Sequence, residues 1–279
     1  MQVLRCGLEG VQQMLDWAAL EGWNPGHHDP ATFYACDPQG FWQGQLEGKA
    51  MASLSAVSWN PDFAFVGLYI VVPEQRGKGY GWRLWQEVMS HHSGGCVALD
   101  GVVAQQSNYA KSGFQLAHRS LRWAGQARLL PQAARNFVPL AQVDFQQVLE
   151  LDARVSPADR PHYVAAWLAQ PQAHTAAALD SDGRLIGMVV ARPCRVGWKV
   201  GPLIAPDAPL AGQLLASCGA GLEATTPIFV DVPEPNQAAH QMLEKLGFAV
   251  SFEVARMYTR PVRPHRLDQL FGITSFELG

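Results

Sequence analysis

The sequence has few charges and no long apolar run. Asp, Glu, Lys and Arg make up 16% of its 279 residues, and no hydrophobic stretch approaches the roughly 20 residues that span a bilayer. A membrane-embedded chain is therefore not expected. The formal net charge of −3 argues against a general nucleic-acid surface, although Arg76, Lys78 and Arg83 make a local basic group. Five cysteines (Cys6, Cys36, Cys96, Cys194 and Cys218) are scattered without a Cys-x-x-Cys pair. An odd, scattered set suits a reducing cytoplasm better than a disulfide framework. The opening Met1-Gln-Val-Leu-Arg-Cys-Gly7 lacks the build of a secretory leader. No metal site is expected, because His27-His28 and His91-His92 are adjacent pairs whose side chains point apart in regular structure. Two nucleotide signatures are missing as well, Gly-x-Gly-x-x-Gly after a strand and Gly-x-x-x-x-Gly-Lys-[Ser/Thr]. What remains is a globular chain, 48% hydrophobic, long enough for two medium domains, with small molecules as its expected partners.

What is present is a glycine loop between an apolar run and an amphipathic helix. Leu68-Tyr-Ile-Val-Val-Pro-Glu-Gln-Arg-Gly-Lys-Gly-Tyr-Gly81 is followed by Trp82-Arg-Leu-Trp-Gln-Glu-Val-Met89. Gly77, Gly79 and Gly81 let backbone N–H groups gather round an anion, and the following helix directs its partial positive end to the same place. With Arg76 and Lys78 in the loop, the ligand is expected to be polyanionic. The stripe Trp82, Trp85, Val88, Met89 has helical spacing and reads as core packing.

Hydrophobic periodicity and turn residues give an α+β reading, a mixed, mostly antiparallel sheet flanked by helices. In the first half, strands are expected at 2–6, 41–46, 51–58, 63–72, 96–102 and 114–123, with helices at 8–21, around 31–35, 80–91 and 106–112. The second half runs through a similar order. Strands are expected at 137–141, 175–180, 185–192, 197–204, 228–232 and 248–258, and helices at 144–153, 161–170, 210–222 and 237–246. The parallel extends to residues, since Tyr109-Ala-Lys-Ser-Gly-Phe114 is matched by Leu243-Glu-Lys-Leu-Gly-Phe248. A duplicated unit follows, joined near residues 124–132, with domains at 1–125 and 133–279.

Arg76-x-x-Gly79-x-Gly81, preceded by Val71-Val72-Pro73, resembles the acetyl-CoA pyrophosphate loop of the GNAT superfamily of N-acetyltransferases. The resemblance covers nearly the whole chain as two copies and is firmest over residues 68–123. It implies a sheet whose fourth and fifth strands splay to hold the pantetheine arm, with acetyl-CoA as co-substrate. It also implies that the backbone of Tyr69, Ile70 and Val71 pairs with the acetyl-pantetheine part. Amides of Gly77, Lys78, Gly79, Tyr80, Gly81 and Trp82 would hold the pyrophosphate, with Arg76 opening the loop. Tyr109 stands where such enzymes place a tyrosine that protonates the departing thiolate. Asn often precedes that tyrosine by about two turns in the family; here the position is Val102.

The second copy departs the other way. Asn236 stands at the helix start, but Leu243 replaces the tyrosine, and residues 205–214 lack the arginine and all but one glycine. Pro209 supplies no N–H and Asp207 would repel phosphate, so this copy is read as degenerate, with a structural or acceptor-pocket role.

Asp100, an acid inside the apolar run Val97-Ala-Leu-Asp-Gly101, is a candidate general base, because desolvation raises a carboxyl pKa; a structural acid fits equally. Asp231, in the corresponding strand of the second copy, hints at a shared structural purpose. The loop holding Trp23, Asn24, His27 and His28 is the candidate acceptor site, since the resemblance places that segment over the acetyl end. The resulting expectation is an acetyl-CoA-dependent N-acetyltransferase acting on a small primary amine by direct transfer. The alternative is a CoA-binding sensor or protein-interaction module with little turnover.

Overall fold

A computed structural model describes residues 1–133 and 137–279. In the first half the strands are β1 (Gln2–Arg5), β2 (Phe41–Leu46), β3 (Lys49–Asn60), β4 (Phe63–Val71), β5 (Cys96–Val102) and β6 (Gln115–Gln126). The helices are α1 (Leu8–Leu20), α2 (Asp29–Cys36), α3 (Tyr80–Ser90) and α4 (Gln106–Lys111). The second half contributes helices α5 (Phe145–Val155), α6 (Pro161–Leu168), α7 (Ala208–Ser217) and α8 (Gln237–Lys245). Its strands are β7 (His174–Leu179), β8 (Leu185–Pro193), β9 (Trp198–Ile204), β10 (Pro227–Pro233), β11 (Ala249–Tyr258) and β12 (Leu270–Gly272). Nearly every expected element is present with its ends moved by a few residues. The expected strand at 137–141 is reduced to one bridge, Val138 to Ala177. It abuts residues 134–136, which lie outside the described residues.

The periodicities explain the layers. Val11, Met14, Leu15 and Ala18 of α1, spaced three and four apart, are buried on one face of the sheet. Leu84, Trp85 and Val88 of α3 are buried on the other. The first face is shared, because α1 and α2 pack in one core with α5 and α6 of the second half. Trp82 departs from the expected stripe: it is 53% exposed, since its position at the start of α3 turns it outward.

All strands belong to a single sheet of order β1-β2-β3-β4-β5-β11-β6-β10-β9-β8-β7, with β12 beside β9. The two halves exchange their last long strands. β11 lies antiparallel between β5 and β6, while β6 lies between β11 and β10. Each half thus completes the sheet of the other.

The parallel pair β4 and β5 runs in register from Phe63 and Cys96 to Val66 and Leu99, and no pairing continues beyond. The strands part there, and the edge of β4 at residues 67–71 is left open. Leu68 sits at φ 47°, a left-handed conformation that costs a non-glycine residue about 1 kcal/mol or more. Its carbonyl accepts a 2.7 Å hydrogen bond from Ser53 Oγ, and the β3–β4 register shifts at the same place.

The second half opens in the same way. β9 and β10 pair in parallel only from Trp198 and Ile228 to Val200 and Val230. Here the opening is filled by the chain itself, as β12 pairs with β9 and Ile273 N donates to Asp231 O. Residues 270–279 are all buried. A Cβ on Gly201 would stand 1.9 Å from Ile273 O, and one on Gly67 2.0 Å from Glu277 O. The two glycines let the tail run from one opening into the other.

Candidate active site

The parting of β4 and β5 opens into a cavity of about 520 Å³. At its outer end, Gly77 and Gly79 adopt φ 76° and 79°, conformations that favour glycine, and Gly79 caps α3 with no side chain. Gly81 is required for a different reason, since a Cβ there would lie 2.6 Å from the Tyr69 hydroxyl. The amides of residues 77–82 donate to no acceptor among the described residues. They form an anion cradle at a helix N-terminus. Arg76 ties the loop down: its Nε donates to Val71 O at 2.8 Å, and it pairs with Glu21 at the end of α1. Lys78 does not line the cavity, and its amine donates to Gln75.

Tyr109 lies in the middle of the wall, at 5.7 Å from the Trp85 ring and over Gly101, where a Cβ would be 2.3 Å from its ring. Burial, with Tyr69 adding, pushes its phenol up to about 12, and burial does the same for Tyr69. Both phenols hold their protons at neutral pH. Tyr69, Ile70 and Val71 line the same wall from the open end of β4, with Tyr80 and Trp82 at the mouth.

Asp100 requires a correction. It lines the cavity, but its carboxylate takes two hydrogen bonds from Arg256, at 2.7 and 2.6 Å, and its side chain is fully buried. Burial pushes its carboxyl up while Arg256 opposes the rise. Both oxygens accept from the guanidinium, so the geometry gives the group the structural role, a clamp on β11, and does not single it out as a base. Asp231 repeats the arrangement, accepting from Arg122 at 2.7 and 2.8 Å. Asp100 on β5 and Asp231 on β10 each hold an arginine on the last long strand of the other half.

The acceptor-loop residues divide. Trp23 lines the inner cavity, and its carbonyl accepts from Arg122 and Lys199. Asn24, His27 and His28 do not line it. Asn24 exchanges 2.8 Å hydrogen bonds with the Val196 backbone, His27 N donates to Pro193 O, and His28 contacts Gln172 at 3.3 Å. These three residues dock the loop onto the second half.

Sequence reasoning missed the rest of the inner wall: Arg122 on β6, Phe252 and Val254 on β11, and Phe276 and Glu277 on the tail. Their only trace is an arginine set among apolar residues in Leu121-Arg122-Trp123 and Ala255-Arg256-Met257, each answering an acid in a buried strand. Burial alone would raise the Glu277 carboxyl, but Lys199, Arg122 and Arg192 together hold it at about 2. Because its folded pKa lies below the ordinary 4.5, its stabilising contribution is complete above that value. It is lost as pH falls from about 4.5 through about 2. Urea titrations between pH 6 and pH 3 are expected to show falling stability, with a smaller fall in Glu277→Gln.

In the second half the matching cradle is closed. Asp207 caps α7 by accepting from Leu210 N at 2.9 Å, and Pro209 supplies no donor. Asn236 Nδ2 donates to Leu270 O and Asp268 O, gripping the tail, and Leu243 is buried in the core. Calorimetry is expected to give one acetyl-CoA bound per chain; a stoichiometry of two would overturn the closure of this cradle.

Comparison with known proteins agrees with this geometry. Residues 8–114 match the acetyltransferase (GNAT) family and residues 148–272 match an acetyltransferase (GNAT) domain. Holothin acyltransferase of Pseudoalteromonas sp. (strain SANK 73390) is 29% identical over 98% of this chain and 92% of its own length. A crystal structure from Pyrococcus horikoshii, provisionally an acetyltransferase, superposes with a TM-score of 0.80 at 16% identity, over 100% of this chain and 95% of that one. A tandem GNAT protein from the clavulanic acid biosynthesis pathway superposes at 0.63 with 15% identity, over 93% and 99%. The chain belongs to the GNAT superfamily as two GNAT domains in tandem, an N-acetyltransferase with acetyl-CoA as its co-substrate.

Proposed function

We propose that the N-terminal half transfers the acetyl group of acetyl-CoA directly to a primary amine of a small molecule. The C-terminal half would complete the acceptor pocket without a donor site of its own. The observation carrying this reading is the continuity of one cavity, from the unused amides of residues 77–82, past Tyr109, to an inner chamber walled by Trp23, Phe252 and Phe276. Residues 77–82 would hold the pyrophosphate, and the open edge of β4 would hold the pantetheine arm and polarise the thioester carbonyl. The amine nitrogen attacks that carbonyl and the carbon–sulfur bond breaks. Tyr109 gives its proton to sulfur, and the proton lost by nitrogen restores the phenol. Asp100 is assigned to holding β11 in place. A small acceptor is supported by the relative named for acting on holothin.

The five free thiols fit a reducing cytoplasm, and no helix among the described residues is long and apolar enough to cross a membrane. The test is a panel of small amines with acetyl-CoA, followed by thiol release and by mass of the product. Acetylated product with one thiol freed per transfer is expected. Acetyl-CoA binding without transfer to any amine would overturn the reading.

A further inference from the structure

The inner chamber is lined by ionic groups that are already matched. Asp100 is held by Arg256, Arg122 by Asp231, and Glu277 lies 3.5 Å from Lys199. Toward the mouth, Glu21 is paired with Arg76. Apart from these the ionisable groups of the wall are the phenols of Tyr69, Tyr80 and Tyr109. Arg122 is further fixed between two rings, 5.0 Å from Phe276 and 5.8 Å from Phe252. Beside these pairs and phenols the wall side chains are mainly aromatic and aliphatic, Trp23, Phe252, Phe276, Val66, Leu99 and Val254, with the Gln105 amide among the polar ones.

An alkylamine is an ammonium ion at neutral pH. To enter this chamber it would shed water for a wall whose carboxylates are all paired with cations, and a buried charge without a partner is strongly disfavoured. It would then have to lose a proton before its nitrogen could attack. An amine whose lone pair is conjugated to a ring meets neither obstacle, because it is uncharged at pH 7, and its flat ring suits walls made of aromatic faces.

We infer that the acceptor is a weakly basic amine carried on an aromatic or conjugated ring, taken up in its uncharged form. The inference rests on the acetyl-transfer reading above and narrows its substrate class. The arginine–carboxylate pairs then serve a purpose beyond joining strands, since they keep the chamber neutral to the incoming nitrogen.

The full chain, acetyl-CoA, and the matched probes aniline and benzylamine provide the test, with kcat/KM followed from pH 6 to pH 9. Aniline is expected to be favoured by roughly tenfold or more at pH 7, with a rate that varies little with pH. Benzylamine is expected to gain rate as its uncharged fraction grows, about tenfold per pH unit while the ammonium predominates. Tryptophan fluorescence with CoA bound provides a readout independent of turnover, and aniline is expected to bind more tightly than benzylamine at pH 7. Faster transfer to benzylamine at pH 7, at a rate independent of pH, would overturn the inference while leaving acetyl transfer intact. Silence with both probes and with every other amine, despite bound acetyl-CoA, would remove both.

Discussion

Tyr109→Phe is expected to lower kcat by roughly 10²–10⁴-fold while leaving the acetyl-CoA Kd unchanged. The ring would still pack over Gly101 and against Trp85 and Phe114, so the substitution removes a proton and little else. A phenol raised to about 12 is protonated throughout pH 6–9, so no loss of activity from its ionisation belongs in that range. Unchanged kcat would dismiss Tyr109 as the acid. Tyr69→Phe is the control, because Tyr69 is equally raised but has its hydroxyl at Gly81, near the phosphate end. A fall in Tyr69→Phe alone would move the assignment to that residue.

Asp29→Ala is expected to cost about 3–5 kcal/mol of stability, the usual penalty for stranding a buried charge. Asp29 is fully buried, pairs with Arg192 across the two halves at 2.8 Å, and also accepts from Gly26 N at 2.7 Å. Arg192 is fully enclosed, with Trp167 lying 4.5 Å from its guanidinium carbon. Removing only the acid strips that buried guanidinium of its hydrogen-bonded carboxylate. The double replacement Asp29→Leu with Arg192→Met should recover much of the loss, because it removes both charges while keeping volume. Urea unfolding midpoints measure both. A loss in the single variant under about 1 kcal/mol would place the pair with ordinary surface bridges. Gly26 shares the carboxylate, so the variant is also expected to loosen the loop that presents Trp23 and to raise the KM for the amine.

The local physics was legible in the sequence. The glycine turn at Gly77 and Gly79 stands as read, and so do Trp85 and Val88 of the stripe Trp82, Trp85, Val88, Met89, while Trp82 is exposed and Met89 only half-buried. Each depends on neighbours within a turn or two of chain. Tyr109, too, was singled out from its own helix end, and it lines the cavity. The inner chamber was not legible, because its walls come from β6, β11 and the tail, which meet only through the exchange of strands. Asp100 shows the cost of that blindness. An acid in an apolar strand suggests a base until its partner is known, and Arg256 is 156 residues away in sequence. The histidines were misplaced for the same reason, as the surface they meet belongs to the second half. The tail gave no periodic signal at all, since it is buried on every side.

The strand exchange also sets an order of events during synthesis. When β6 has been made, the slot between it and β5 is empty, and both strands present bare edges of the kind that invite mispairing. The slot is filled only when Ala249–Tyr258 arrives, a pairing of high sequence separation and therefore slow to form. A fragment ending near residue 126 is accordingly a nascent intermediate, prone to self-association. The glycine loop is among the first features to leave the ribosome, and the chamber it serves is among the last to be finished.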